Sequence, residues 1–200
     1  HGAAYFRRWH GIKEKSGTLL VHKSTHHFDL LNWWLDSDPV EVMAYGSLDF
    51  YGKNNSFRHT HCRPCPFKDK CAYYWDITKD KFHMDLYANN EKYDGYIRDS
   101  CVWREEIDIY DKMSVQVKYA NGVLVNYSLT TYSPYEGMRI AFNGKAGRID
   151  ASEGIPWEEA AQQDQASLHE KEMQQKKEQE AKDFDKILVM KNFGQYETIK

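Results

Sequence analysis

Residues 19 to 35, LLVHKSTHHFDLLNWWL, set three histidines (His22, His26, His27) and Asp29 inside an apolar run. Imidazoles and a carboxylate at this density suit a zinc pair, an acid/base set, or the polar rim of a buried helix. His22 and His26 are four residues apart, so on one helix they share a face. A zinc hydrolase built on that pair needs a third ligand, and Lys23 beside His22 opposes a second cation. Asp29, three after His26, is placed to hold an imidazole in one tautomer. The plain alternative is a helix start whose polar groups are satisfied by backbone.

A second cluster is HTHCRPCPFKDKCAYY, where Cys62, Cys65 and Cys71 follow His59 and His61. Three thiols this close suit a structural zinc, with His61 or Cys101 as fourth ligand. Four cysteines are equally compatible with a disulfide or with reduced thiols packed in a loop. The third is YFRRWH, in which Arg7 and Arg8 lie between Tyr5 and Trp9. Rings beside guanidinium donors suit a sugar or a carboxylate; surface arginines next to core aromatics give the same text. No dinucleotide or phosphate loop of the G-x-G-x-x-G or G-x-x-x-x-G-K-[ST] kind is present, and no G-x-S-x-G.

The elements that must position these groups read as follows. Residues 1 to 18 are expected to be irregular. Ser24 or Thr25 caps a helix in which Phe28, Leu31 and Leu35 recur at helical spacing, and the DSDP stretch ends it at Pro39. Strands follow: an alternating run from Val40 to Tyr51, then a hairpin within 114–132 turning at Asn121-Gly122, where positive φ is expected. A second hairpin turns through Gly144 to Gly147, and Lys186 to Phe193 is a further strand. Consecutive hairpins imply an α+β domain: an open, mostly antiparallel sheet with helices packed on one face. Residues 157 to 183 are rich in helix formers and poor in apolar groups, and are expected to be a polar helical insertion.

The chain has 200 residues and a net charge of -3, which suits one domain and gives no basic field for nucleic acid. Mean hydropathy is -0.79, and no apolar run reaches the roughly 20 residues of a membrane span. The start at His1 leads to the expectation of a piece of a longer protein, cytoplasmic or periplasmic.

Taken in order, these segments resemble the C-terminal domain of the Gfo/Idh/MocA oxidoreductases, the relatives of glucose–fructose oxidoreductase and inositol dehydrogenase. SGTLLVHKSTHHFDLLNWW is similar to that family's G-G-x-L-L-D-x-G-x-H-x-x-D-L-x-x-W motif, its histidine falling on His26, its last aspartate on Asp29 and its first on His22. CRPCPFKDKCAYY resembles the cysteine-rich loop of one branch, and residues 107–150 resemble the sheet strands and the G-T-x-G-x-I hairpin. The resemblance implies a substrate domain lacking its N-terminal Rossmann domain, whose E-K-P lysine would act beside these residues. It implies NAD or NADP in the full-length protein, a sugar or polyol substrate, and homo-oligomers through the sheet face. His26 is then the proton acceptor during hydride transfer, with His22 as second catalytic candidate. Lys23, Thr25, Asp29, Tyr5 and Arg8 are the candidate substrate-binding residues. His22 replaces a fixed negative charge, and Lys23 can take an acidic or polar substituent. As a separate piece the chain is not expected to turn over. A nicotinamide-dependent glycosidase of the same fold and a non-catalytic carbohydrate-binding scaffold are the alternatives.

Overall fold

A computed structural model describes residues 2–134, 136–153, 186–194 and 196–199. The chain divides into two compact units, Gly2–Tyr132 and Ser133–Lys200. The insertion expected at 157–183 lies outside the described residues.

The first unit is organised around a three-stranded antiparallel sheet of β1 (Pro39–Ser47), β2 (Lys112–Tyr119) and β3 (Leu124–Thr130), with β2 in the middle. β2 alternates strictly, burying Met113, Val115, Val117 and Tyr119 and exposing the residues between. Each valine withdrawn from water contributes about 1.5–3 kcal/mol. The helix α4 (Thr25–Leu35) covers that face, laying Phe28 and Leu35 on Val115, Val117 and Tyr119. Tyr119 Oη donates to Asn32 Oδ1 at 2.8 Å, so the phenol buried by the sheet ends on a helix side chain. The opposite side of α4 leaves Trp33 75% exposed.

Several expectations are corrected here. Residues 2 to 18 carry short helices where an irregular entry was expected: α1 (Gly2–Phe6), a 3-10 turn (Trp9–Gly11) and α2 (Lys13–Ser16) precede α3 (Leu19–His22). The helix expected around His22 and His26 is interrupted, because α3 ends at His22 and α4 begins at Thr25. Ser24 stands at the cap position but makes no capping bond, since its hydroxyl is 2.9 Å from Tyr127 Oη. α4 stops at Asp36, in the left-handed region at φ 46°, before Pro39 is reached. β1 stops at Ser47 because the buried Asp111 carboxylate accepts the amides of Asp49, Phe50 and Tyr51, turning that backbone away from the sheet. In the β2–β3 connection only Gly122 has positive φ (87°). Asn121 is used elsewhere: its Nδ2 donates to Leu35 O at 3.1 Å, satisfying an end carbonyl of α4.

A second core lies under the N-terminal helices, with Phe6, Tyr51, Val102, Trp103, Ile107 and Ile109 at its centre. Phe6 stacks on Tyr51 with ring centroids 4.3 Å apart. The long segment between β1 and β2 carries only short helices, including α5 (Lys81–Leu86) and α6 (Glu91–Asp94). It is tied together where the backbones around His61 and Ser100 pair in antiparallel fashion.

The second unit holds a four-stranded antiparallel sheet in sequential order: β4 (Met138–Gly144), β5 (Gly147–Glu153), β6 (Lys186–Lys191) and β7 (Tyr196–Ile199). Gly144 pairs with Gly147, which leaves Lys145 and Ala146 as the turn. The α+β class and antiparallel pairing therefore hold, with the strands distributed over two open sheets.

Candidate functional site

The break between α3 and α4 shapes the histidine cluster. Lys23 and Ser24 separate the two helices, so His22 and His26 lie at the end of one helix and in the first turn of the next. His22 is half-buried and turned toward the N-terminal helices: its Nδ1 is 3.0 Å from Tyr5 Oη. The His22 ring also packs against His10 at 4.6 Å and Trp9 at 6.2 Å between centroids. His10 in turn stacks on Tyr5 at 4.8 Å. Tyr5, Trp9, His10 and His22 thus form one aromatic–imidazole group with Trp9 at its exposed edge.

Electrostatics keep these imidazoles neutral. Burial pulls His10 down to about 4, and Arg8, His22, Lys23 and Arg98 act in the same direction. His22 is also lowered, by partial burial first and then by the charge of Lys23. Lowered in this way, the two rings stay hydrogen-bonding groups and are weak proton acceptors, suited to orienting a substrate rather than to acting as its base. His26 is exposed, one turn before the exposed Asp29, and among the described residues no hydrogen bond joins the two. Thr25 and Lys23 are exposed beside it. Arg8 is half-buried, with Nε donating to Tyr96 Oη at 3.1 Å. The structure therefore gathers Tyr5, Arg8, His22 and Lys23 into one region, with His26 following in the first turn of α4.

Two members were not visible in the local sequence pattern. His10 lies in the YFRRWH stretch, but only the packing of the Trp9–Gly11 turn against α3 shows that it belongs with His22. Arg98 enters from a loop remote in sequence, and its position beside His10 had no local signal. His27, named with the others in the sequence, does something separate: its Nδ1 is 2.9 Å from Tyr127 Oη, tying α4 to β3.

The proposed zinc ligands do not form a metal site. Cys62, Cys65, Cys71, Cys101 and His61 line one small cavity of about 10 Å³, but all four cysteines are free thiols. Among the described residues no three histidine, cysteine or carboxylate groups are set to hold a metal ion. The physical reason lies in Arg7, whose Nη1 donates to Cys62 Sγ at 3.2 Å. A guanidinium against the sulfur occupies it and repels a dication. The Arg7 side chain is fixed further by the carbonyls of Ser100 and Tyr73. The loop is held instead by Asp99, fully buried, which accepts from Arg63 through backbone and guanidinium.

Comparison with known proteins bears on this arrangement. A family model described as oxidoreductase family, C-terminal alpha/beta domain, matches residues 1–198. A Bacillus subtilis (strain 168) protein carrying the name "Putative oxidoreductase YteT" is 43% identical over 166 residues, which is 76% of this chain and 39% of that protein. The chain thus spans well under half the length of that relative.

Proposed function

Because the chain belongs to the Gfo/Idh/MocA oxidoreductases as a C-terminal α/β domain, we propose that it is the substrate domain of an NAD(P)-dependent enzyme oxidising a sugar or polyol, with His26 as proton acceptor. The observation that carries this reading is the exposed His26 in the first turn of α4, next to the helix end where His22 meets Tyr5, in a domain of an oxidoreductase family. Oxidising an alcohol requires loss of the hydroxyl proton, and a positioned imidazole contributes about 10²–10⁴-fold to such a step. Bound nicotinamide supplies the hydride acceptor. This chain has no glycine-rich cradle for a dinucleotide phosphate, so the nicotinamide is assigned to a Rossmann domain N-terminal to it. What these residues do is orient the substrate and take the proton: Trp9 offers a ring face to a sugar, Tyr5 holds His22, and Lys23, Thr25 and Asp29 surround His26 with polar groups. The chain is a single substrate domain in this reading, with homo-oligomers formed through the uncovered sheet face.

The test uses the full-length protein with NAD or NADP and a panel of neutral and acidic sugars and polyols. Formation of reduced nicotinamide is expected with a subset of them. Glycoside cleavage without net nicotinamide reduction would assign the glycosidase chemistry instead. Sugar binding with neither reaction would assign a carbohydrate-binding scaffold.

A further inference from the structure

The first unit contains six arginines. Three are neutralised: Arg58 by Glu105, Arg63 by Asp99 and Glu91, and Arg104 by Glu106. The other three, Arg7, Arg8 and Arg98, meet no carboxylate among the described residues. Arg7 donates to carbonyls and to Cys62 Sγ, Arg8 to a phenol, and Arg98 lies against the faces of Trp75 and Tyr87 at 5.3 and 5.8 Å.

These three converge, and they converge on the imidazole group. Arg7 and Arg98 face the same Trp75 ring at 5.7 and 5.3 Å, and Tyr96, the partner of Arg8, packs at 5.7 Å on the Tyr87 ring that Arg98 also faces. Arg8, Lys23 and Arg98 all oppose a charge on His10. Arg98 is only 9% exposed and its Nη1 has no hydrogen-bond partner. His10 is 5% exposed and its Nδ1 has none either. Aromatic faces compensate the faces of a guanidinium, but leave its N–H edge unmet. A buried cation with an unmet donor is costly, and a second unpartnered polar atom in the same group adds to that cost. A planar guanidinium edge with further cations around it is shaped for the two oxygens of an anion.

We propose that Arg98, with His10 and Arg8, forms a site for an anionic oxygen group carried by the substrate, a carboxylate or a phosphate on the sugar. The proposal rests on the reading of this domain as a sugar-binding one and narrows its substrate class to acidic sugars. A negative group seated there also places the remainder of the sugar against Trp9 and the His22 side of the helix break.

Calorimetric titration of the full-length protein with glucuronate, glucose 6-phosphate and glucose tests this. At least one acid is expected to bind roughly tenfold or more tightly than glucose. The stronger acid identifies the source of the anion. The acid-to-neutral ratio is expected to fall toward one in Arg98→Met. Because Arg98 is buried, Arg8→Gln is the second variant, at a half-buried position that folding depends on less. Equal affinity for acids and glucose, absence of binding by either acid, or a ratio unchanged in both variants overturns the proposal. Calorimetry registers no hydride transfer, so the two readings fail separately. Acid binding without nicotinamide reduction removes the oxidoreductase reading alone. Reduction by neutral polyols with no preference for acids removes this one alone.

Discussion

His10 and His22 occupy the same aromatic group but carry different burdens. His10 is deeply buried, stacked on Tyr5 and surrounded by cations, so protonating it in the folded chain is opposed from every direction. Its ordinary value is 6.5 and the fold holds it at about 4. Below pH 6.5 the unfolded chain therefore binds a proton that the folded chain refuses. The contribution of neutral His10 to stability is complete above that pH and is lost as the pH falls toward about 4. His10→Phe keeps an aromatic ring on Tyr5 and cannot titrate. The wild-type chain should lose more unfolding temperature between pH 6.5 and about 4 than this variant does. Melting curves at stepped pH check it, and parallel losses would contradict it. The roles of these residues were only half legible beforehand. His22, Lys23 and His26 stand together in the sequence, whereas Arg98 reaches His10 only through the packing of a distant loop.

At the scale of elements, legibility followed length and periodicity. β2 and β3 were readable because their alternation is strict and Asn121-Gly122 lies between them. α4 was readable from the spacing of Phe28, Leu31 and Leu35. α1 and α2 were not, since helices of 5 and 4 residues have too few turns to show a period, and α1 is held by the burial of Tyr5 and Phe6. β7, four residues long, had the same difficulty. The end of β1 was misplaced because the group that ends it, Asp111, lies far along the chain. The break between α3 and α4 was hidden because every side chain across it suits a helix or its cap, and only Ser24 pairing with Tyr127 reveals why it forms. α4 itself ends on a non-glycine residue in the left-handed region, Asp36 at φ 46°. Asp36→Gly should relieve that conformation and stabilise the first unit by about 0.5–1 kcal/mol. Denaturant unfolding measures this, and a destabilised variant would show that the Asp36 side chain matters more than its backbone.

For the whole molecule, the comparisons and the fold converge on a domain of an oxidoreductase, and the chain covers 39% of its Bacillus subtilis relative. No helix among the described residues is long and apolar enough to cross a membrane. The acid/base chemistry proposed here belongs to this chain, while the dinucleotide is assigned to a domain outside it. That division makes His26 separable from cofactor binding: it is exposed, so its removal should change stability by no more than about 0.5 kcal/mol. The most direct test is a single-turnover measurement of nicotinamide reduction in the full-length protein, with bound NAD or NADP and saturating substrate, for wild type and His26→Ala. The reduction rate should fall about 10²–10⁴-fold in the variant with its unfolding temperature and cofactor affinity retained. Reduction at the wild-type rate in a folded His26→Ala protein would contradict the assignment of His26 as the proton acceptor.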